Sequence, residues 1–347
     1  MKTLHKLLAH FTALSMLVCS CGKQSEKLSA NDIASTATTL ATNPDKVVIG
    51  YVPGWADVNA VTDAIDFNIV THINLAFFAA SSSGAVMSNG QPLYSDFGAS
   101  QINYVVSKAH AKGRKVLASL GGGNPDPNAG NMAVLFRAAN RSTFINNLAA
   151  FVTYFNLDGI DVDVEGDVLS TIKSEQNYAP FIAALRNKIN PMGKLVTCAT
   201  AAYDDGMIPS SAYAYLDFIN IMSYDNGWGG TGNHSTYDAA VTHIQKFINS
   251  GAPASKLVLG VPFYGYKPTV GTGEISFSEL LAKYGTAAAY VDEYDGYKYN
   301  GITTIESKTT YAAQHIKGVM IWELSQDVQG TYSLLQAVGR KINTPAN

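Results

Sequence analysis

Short apolar runs recur along this chain and alternate with segments of helical periodicity. The runs cover 47–52, 72–79, 115–120, 159–164, 195–201, 218–223, 257–263 and 318–322. Each has strand length and is rich in Val, Ile, Leu or Phe, the composition of strands covered on both faces. The clearest helix is predicted to start after Ser142 as its N-cap. Phe144, Ile145, Leu148, Phe151, Val152 and Phe155 then fall on one stripe. Others are predicted near 101–111, 177–189, 237–248, 304–315 and 332–341. Eight strand–helix alternations over roughly 295 residues predict an α/β architecture: a single (β/α)8 TIM barrel without a large insertion domain. A doubly wound open sheet is the competitor. The first strand ends Gly50-Tyr51-Val52-Pro53-Gly54-Trp55, which is not the glycine fingerprint such sheets often carry.

The first 21 residues are expected to lie outside the fold. Lys2 and Lys6 flank the start of an apolar run from Leu7 to Val18, interrupted by His10. The run is shorter than the roughly 20 residues of a membrane span. It ends Val18-Cys19-Ser20-Cys21, which resembles a bacterial lipobox. The resemblance implies a lipoprotein signal peptide over 1–21, with Cys21 lipidated. The protein would then be extracytoplasmic, periplasmic or at the cell surface, touching the membrane only through that anchor. An ordinary cleaved signal peptide, giving a secreted protein, is the alternative. Residues 22–45 read as a flexible linker, rich in Ser, Thr, Ala, Lys and Asn, and 46–343 as the barrel domain.

Composition narrows the function. A formal charge of −3 supplies no basic excess to neutralise phosphates, which argues against nucleic acid as the main partner. With Cys21 used as an anchor, Cys198 alone remains in the domain, in an apolar run that suggests burial. No internal disulfide or zinc spacing follows. The protein is read as a monomer.

The fourth run carries the chemistry: Leu157-Asp158-Gly159-Ile160-Asp161-Val162-Asp163-Val164-Glu165. Side chains alternate faces along a strand, so Asp161, Asp163 and Glu165 share one face, about 6.6 Å apart. In a barrel the acids point inward and Glu165 sits at the C-terminal mouth, where barrel enzymes keep their sites. Three stacked carboxylates cannot all ionise cheaply, so at least one holds a proton near neutral pH, as a general acid must. Asp161-x-Asp163-x-Glu165-Gly166-Asp167 also starts like a calcium loop. Its twelfth position is Ile172 and valines intervene, which favours the strand.

Asp158-Gly159-x-Asp161-x-Asp163-x-Glu165 resembles the signature of glycoside hydrolase family 18, the chitinase family. Further matches follow in order. Gly50-Tyr51 is similar to the family's first strand, Ser119-Leu120-Gly121-Gly122 to its third, Met222-Ser223-Tyr224-Asp225 to its sixth and Gly318 to Glu323 to its eighth. The likeness spans about 46–340. It implies a substrate of chitin or another N-acetylglucosamine oligosaccharide. It also implies a retaining mechanism in which the sugar's own 2-acetamido group is the nucleophile, an exception to the usual carboxylate pair. The reaction implied by the resemblance needs neither a metal nor a cofactor. Glu165 would be the acid and Asp163 would orient the acetamide. Asp161 would share a proton or hydrogen bond with Asp163, and Tyr224 would donate to the acetamide oxygen. Asp225, Met222, Trp322, Tyr51 and Phe77 would bind sugar, with Trp55, Trp228 and Tyr264 as further aromatic candidates.

Two departures stand out. Many members have Tyr-Gly-Arg after the seventh strand, and this chain has Tyr264-Gly265-Tyr266, leaving an arginine contact to substrate or to the sixth-strand acid in doubt. The connection 265–317 is too short for the extra α+β domain of some members, which implies a shallower groove and internal cleavage. Two other functions compete: an endo-β-N-acetylglucosaminidase acting on N-glycans, and a non-catalytic sugar-binding barrel. Such non-catalytic relatives typically lose the acid, and Glu165 is present here.

Overall fold

The computed structural model describes residues 45–226, 232–267 and 273–345. Cys21, the linker and Trp228 lie outside the described residues. Eight parallel strands close into a barrel: β1 (Val47–Pro53), β2 (His72–Phe78), β3 (Lys115–Gly122), β4 (Gly159–Val164), β5 (Leu195–Ala201), β6 (Phe218–Met222), β7 (Leu257–Pro262) and β8 (Gly318–Trp322). Consecutive strands are neighbours, and β8 pairs with β1 to complete the ring. All eight apolar runs are strands to within two residues, so the predicted barrel is the observed one.

Strand alternation divides the apolar residues into two cores. Val48 and Val52 of β1, with Ile160, Val162 and Val164 of β4, point outward and pack with helix residues such as Phe151 and Phe181. Val47, Ile49 and Tyr51 point inward and join Val258, Met320 and Tyr224 in a separate interior cluster.

The helix predicted from Ser142 starts earlier and runs over Ala138–Tyr154. Asn140 Nδ2 donates to Val134 O (2.9 Å) and Arg141 Nε to Phe136 O (3.0 Å). These bonds fasten its first turn onto the short helix Met132–Phe136, so tertiary anchoring replaces a side-chain cap. The connection from β7 to β8 holds a four-stranded antiparallel sheet in the order Glu274–Ser276, Tyr264–Tyr266, Tyr297–Lys298 and Glu293–Tyr294, plus the helix Phe277–Tyr284. The apolar pattern had not shown this small sheet. Its strands are two or three residues long, too short for a period to register.

Candidate active site

Register along β4 decides the environment of each acid. Asp161 pairs with Ser119 on β3 and Thr197 on β5. Both neighbours carry hydroxyls. Asp161 Oδ2 accepts from Ser119 Oγ (2.7 Å) and Tyr51 Oη (2.7 Å), and Oδ1 from Thr197 Oγ1 (2.6 Å) and Asn220 Nδ2 (3.3 Å). Burial pushes its pKa above the usual value, and these four donors pull it back toward the charged form. One level higher, Asp163 pairs with Gly121 and Ala199, which offer no donor. Its Oδ1 is buried without a hydrogen-bond partner among the described residues. Asp161, directly below on the same face, adds its charge to the environment of Asp163.

Burial, then the charges of Glu165 and Asp161, hold Asp163 well above the normal carboxylate range. Glu165 follows at the mouth. Burial and the nearby Asp225 charge raise its pKa from 4.5 to about 7. A carboxylic acid poised there is protonated in mildly acid solution and sheds its proton readily, the property of a general acid.

The other motif residues have structural duties. Asp158 lies at the opposite end of β4 and accepts from Val116 N (2.9 Å), His110 Nε2 (2.7 Å) and Lys115 Nζ (3.0 Å), tying β4 to β3. Burial would raise its pKa, but these donors outweigh it and leave the value lowered. A side chain at Gly159 would strike the Leu195 carbonyl, and one at Gly121 the Asp163 carbonyl. Gly122 has φ of +83°, and a Cβ there would lie 2.6 Å from the Phe77 ring. The Ser-x-Gly-Gly segment thus lets Phe77 and β4 close in from either side.

The end of β6 faces this column. Among the described residues, the Tyr224 hydroxyl has one hydrogen-bond contact, the Met320 sulfur at 3.9 Å, a weak acceptor. Met222 is half-buried beside the interior cluster. Asp225 is 41% exposed, and its Oδ1 accepts from Tyr264 Oη at 2.5 Å. Tyr264 is one of the further aromatic candidates. It is buried and serves as a clamp on Asp225, because the chain past β7 folds back into the small sheet.

Aromatic residues from β8, β1 and β2 form the floor. Trp322 stacks on Phe77 (centroids 5.5 Å, 24°) and meets Tyr51 edge-on at 5.3 Å. Trp55 sits 6.3 Å from Trp322 and is 57% exposed. Trp55, Phe77 and Trp322 line an open groove of about 1090 Å³, which also takes in Tyr94, Asp96, the 123–128 loop and Glu274. Gly123 joins the groove to the acid, since a Cβ there would stand 3.2 Å from Glu165 Oε1. The loop contributors were not anticipated. Asn124-Pro125-Asp126-Pro127-Asn128, a turn-rich run directly after a strand, was the available signal.

Comparison with known proteins agrees with this geometry. The family model for glycosyl hydrolases family 18 matches residues 47–327. A GH18 chitinase from the chitin utilization locus of Flavobacterium johnsoniae is 33% identical, with a TM-score of 0.73, covering 86% of this chain and 94% of that one. A chitinase from Bacteroides thetaiotaomicron is 28% identical at a TM-score of 0.73, covering 86% and 97%. A probable chitinase 2 of Drosophila melanogaster is 28% identical over 67% of this chain and 55% of its own length. The chain thus spans about half the length of that curated relative, and 38% of a chitinase A1 from Niallia circulans. With the acid column, the aromatic floor and the matched span all in place, this chain belongs to glycosyl hydrolases family 18.

Proposed function

We propose that the protein hydrolyses β-1,4 linkages between N-acetylglucosamine residues in chitin or chitooligosaccharides, with retention of configuration. One observation carries the reading: Glu165, its pKa raised to about 7, stands next to Gly123 in the lining of an open aromatic groove. The matched proteins named above, described as chitinases, support it.

Asp163 and Glu165 rise from one strand on one face. They do not straddle a sugar ring, so β4 alone supplies no second carboxylate as nucleophile on the far face. In the proposed path the 2-acetamido carbonyl oxygen attacks C1. The bond from C1 to the leaving oxygen breaks, and Glu165 gives its proton to that oxygen. Water then attacks C1, the bond to the acetamido oxygen breaks, and Glu165 takes the water's proton. Two inversions give retention. Asp163, whose Oδ1 has no partner among the described residues, accepts the acetamide N–H. Tyr224 donates to the acetamide oxygen, Asp225 holds the sugar, and Trp322 lies under the ring. The small sheet between β7 and β8, in place of a large insertion domain, supports the reading of internal cleavage.

The lipobox-like Cys19-Ser20-Cys21 supports an extracytoplasmic, lipid-anchored location. Labelling with a radioactive fatty acid, lost in Cys21→Ala, tests that. For activity, the purified protein is assayed side by side on N-acetylglucosamine oligomers and on an N-linked glycoprotein. Turnover of the oligomers is expected. Release of the glycan with no oligomer cleavage would reverse the reading in favour of an endo-β-N-acetylglucosaminidase.

A further inference from the structure

His234 belongs to none of the motifs above, yet it sits against the one charge that raises the pKa of Glu165. Its side chain is fully buried, and its Nδ1 lies 3.2 Å from the backbone N of Asp225 and 3.3 Å from Asp225 Oδ1. The ring is held between Tyr264 (5.0 Å) and Tyr266 (4.7 Å). Its backbone is equally fixed. His234 O accepts from Asn226 N and Nδ2, both at 3.0 Å. Next along the chain, Ser235 is pinned to Ser223 O (2.6 Å) and to the buried Lys308 Nζ (2.7 Å). The imidazole therefore cannot swing away from Asp225.

We propose that His234 is a positioning residue that clamps Asp225 in two proton-dependent ways. In the neutral ring, Nδ1 accepts the Asp225 backbone N–H. The ring proton then sits on Nε2, which has no hydrogen-bond partner among the described residues. When Nδ1 takes a proton from solvent, it stops accepting that N–H and donates to Asp225 Oδ1, beside the Tyr264 hydroxyl already there. Histidine is the side chain suited to exchange these forms near neutral pH.

The charged groups around the ring are Asp225 on the β6 end and Glu274 on the small sheet, with the Tyr264 and Tyr266 hydroxyls. The functional consequence runs through Asp225, whose charge raises the proton affinity of Glu165. Imidazolium beside Asp225 offsets that charge and lets Glu165 release its proton at lower pH. This inference rests on Glu165 being the acid.

The test is the pH profile of kcat/KM for wild type, His234→Gln, Asp225→Asn and the double variant. His234→Gln is expected to move the basic limb upward by about 0.5 pH unit, since Asp225 is then never compensated. In the Asp225→Asn background the same change is expected to move nothing. A limb unmoved in His234→Gln, or moved equally in both backgrounds, overturns the proposal. Should His234→Gln not fold, proton NMR decides. Wild type at pH 5 is expected to show a slowly exchanging low-field imidazole N–H that Asp225→Asn loses. Its absence from wild type, or persistence in the variant, overturns the clamp. Glu165→Gln is run alongside. Turnover retained there refutes the acid assignment instead and leaves the His234 geometry untouched.

Discussion

Glu165→Gln is expected to make the protein more stable at alkaline pH while abolishing turnover. The Glu165 side chain is partly buried, and its pKa rises from 4.5 to about 7 through burial and the Asp225 charge. The folded protein therefore holds a proton between pH 4.5 and 7 that the unfolded chain has released. Wild-type stability falls as pH rises through that window, and above pH 7 the whole penalty is present. At 1.36 kcal/mol per pH unit, the displacement amounts to about 3 kcal/mol. Glutamine matches the protonated acid in shape and carries no charge, so it escapes this penalty. For a domain of this size the gain is about 6 °C in Tm at pH 8.5, shrinking to near zero at pH 4.5. Scanning calorimetry of both proteins at those two pH values reads the difference. Glu323, raised to about 7 by burial, slopes in the same sense in both proteins and cancels. Turnover is expected to drop at least 10²-fold with oligosaccharide binding retained. A variant no more stable than wild type at pH 8.5 would refute the electrostatic argument. Near-normal turnover would refute the assignment of the acid.

Tyr51→Phe keeps the ring edge against Trp322 but removes one of four donors to Asp161. It should cost about 2 kcal/mol of stability by urea denaturation at pH 7, the value of a hydrogen bond to a charged group. No measurable loss would mean Asp161 does not depend on that donor. Trp55→Ala removes a ring that is 57% exposed, so stability should stay within about 0.5 kcal/mol. Its kcat/KM on a hexasaccharide should fall about 3–10-fold, the loss of one aromatic contact. An unchanged value would exclude Trp55 from the substrate path.

The barrel was legible because its strands are covered on both faces and read as continuous apolar runs. The acid column was legible because a two-residue period leaves no choice about which side chains share a face. The different fates of Asp161 and Asp163 were not. They depend on whether Ser119 and Thr197, or Gly121 and Ala199, stand at the same level, and register is a property of pairing between strands. The place of Tyr264 was open in the sequence and is settled by the chain turning back past β7 into the small sheet, which buries the ring. His234 was invisible because nine residues separate it from Asp225, with no periodicity linking them. The early start of helix Ala138–Tyr154 likewise reflects bonds to Val134 and Phe136 that no local cap signal carries.

The central claim is that one proton from Glu165 and the substrate's own amide perform the reaction. The direct measurement compares kcat/KM on a chito-oligosaccharide with that on a glucose oligomer of the same length and linkage, under identical conditions. Cleavage of the acetamido substrate alone is predicted. Comparable turnover of the glucose oligomer would contradict the account, because that sugar brings no nucleophile and β4 offers no second carboxylate on the far face.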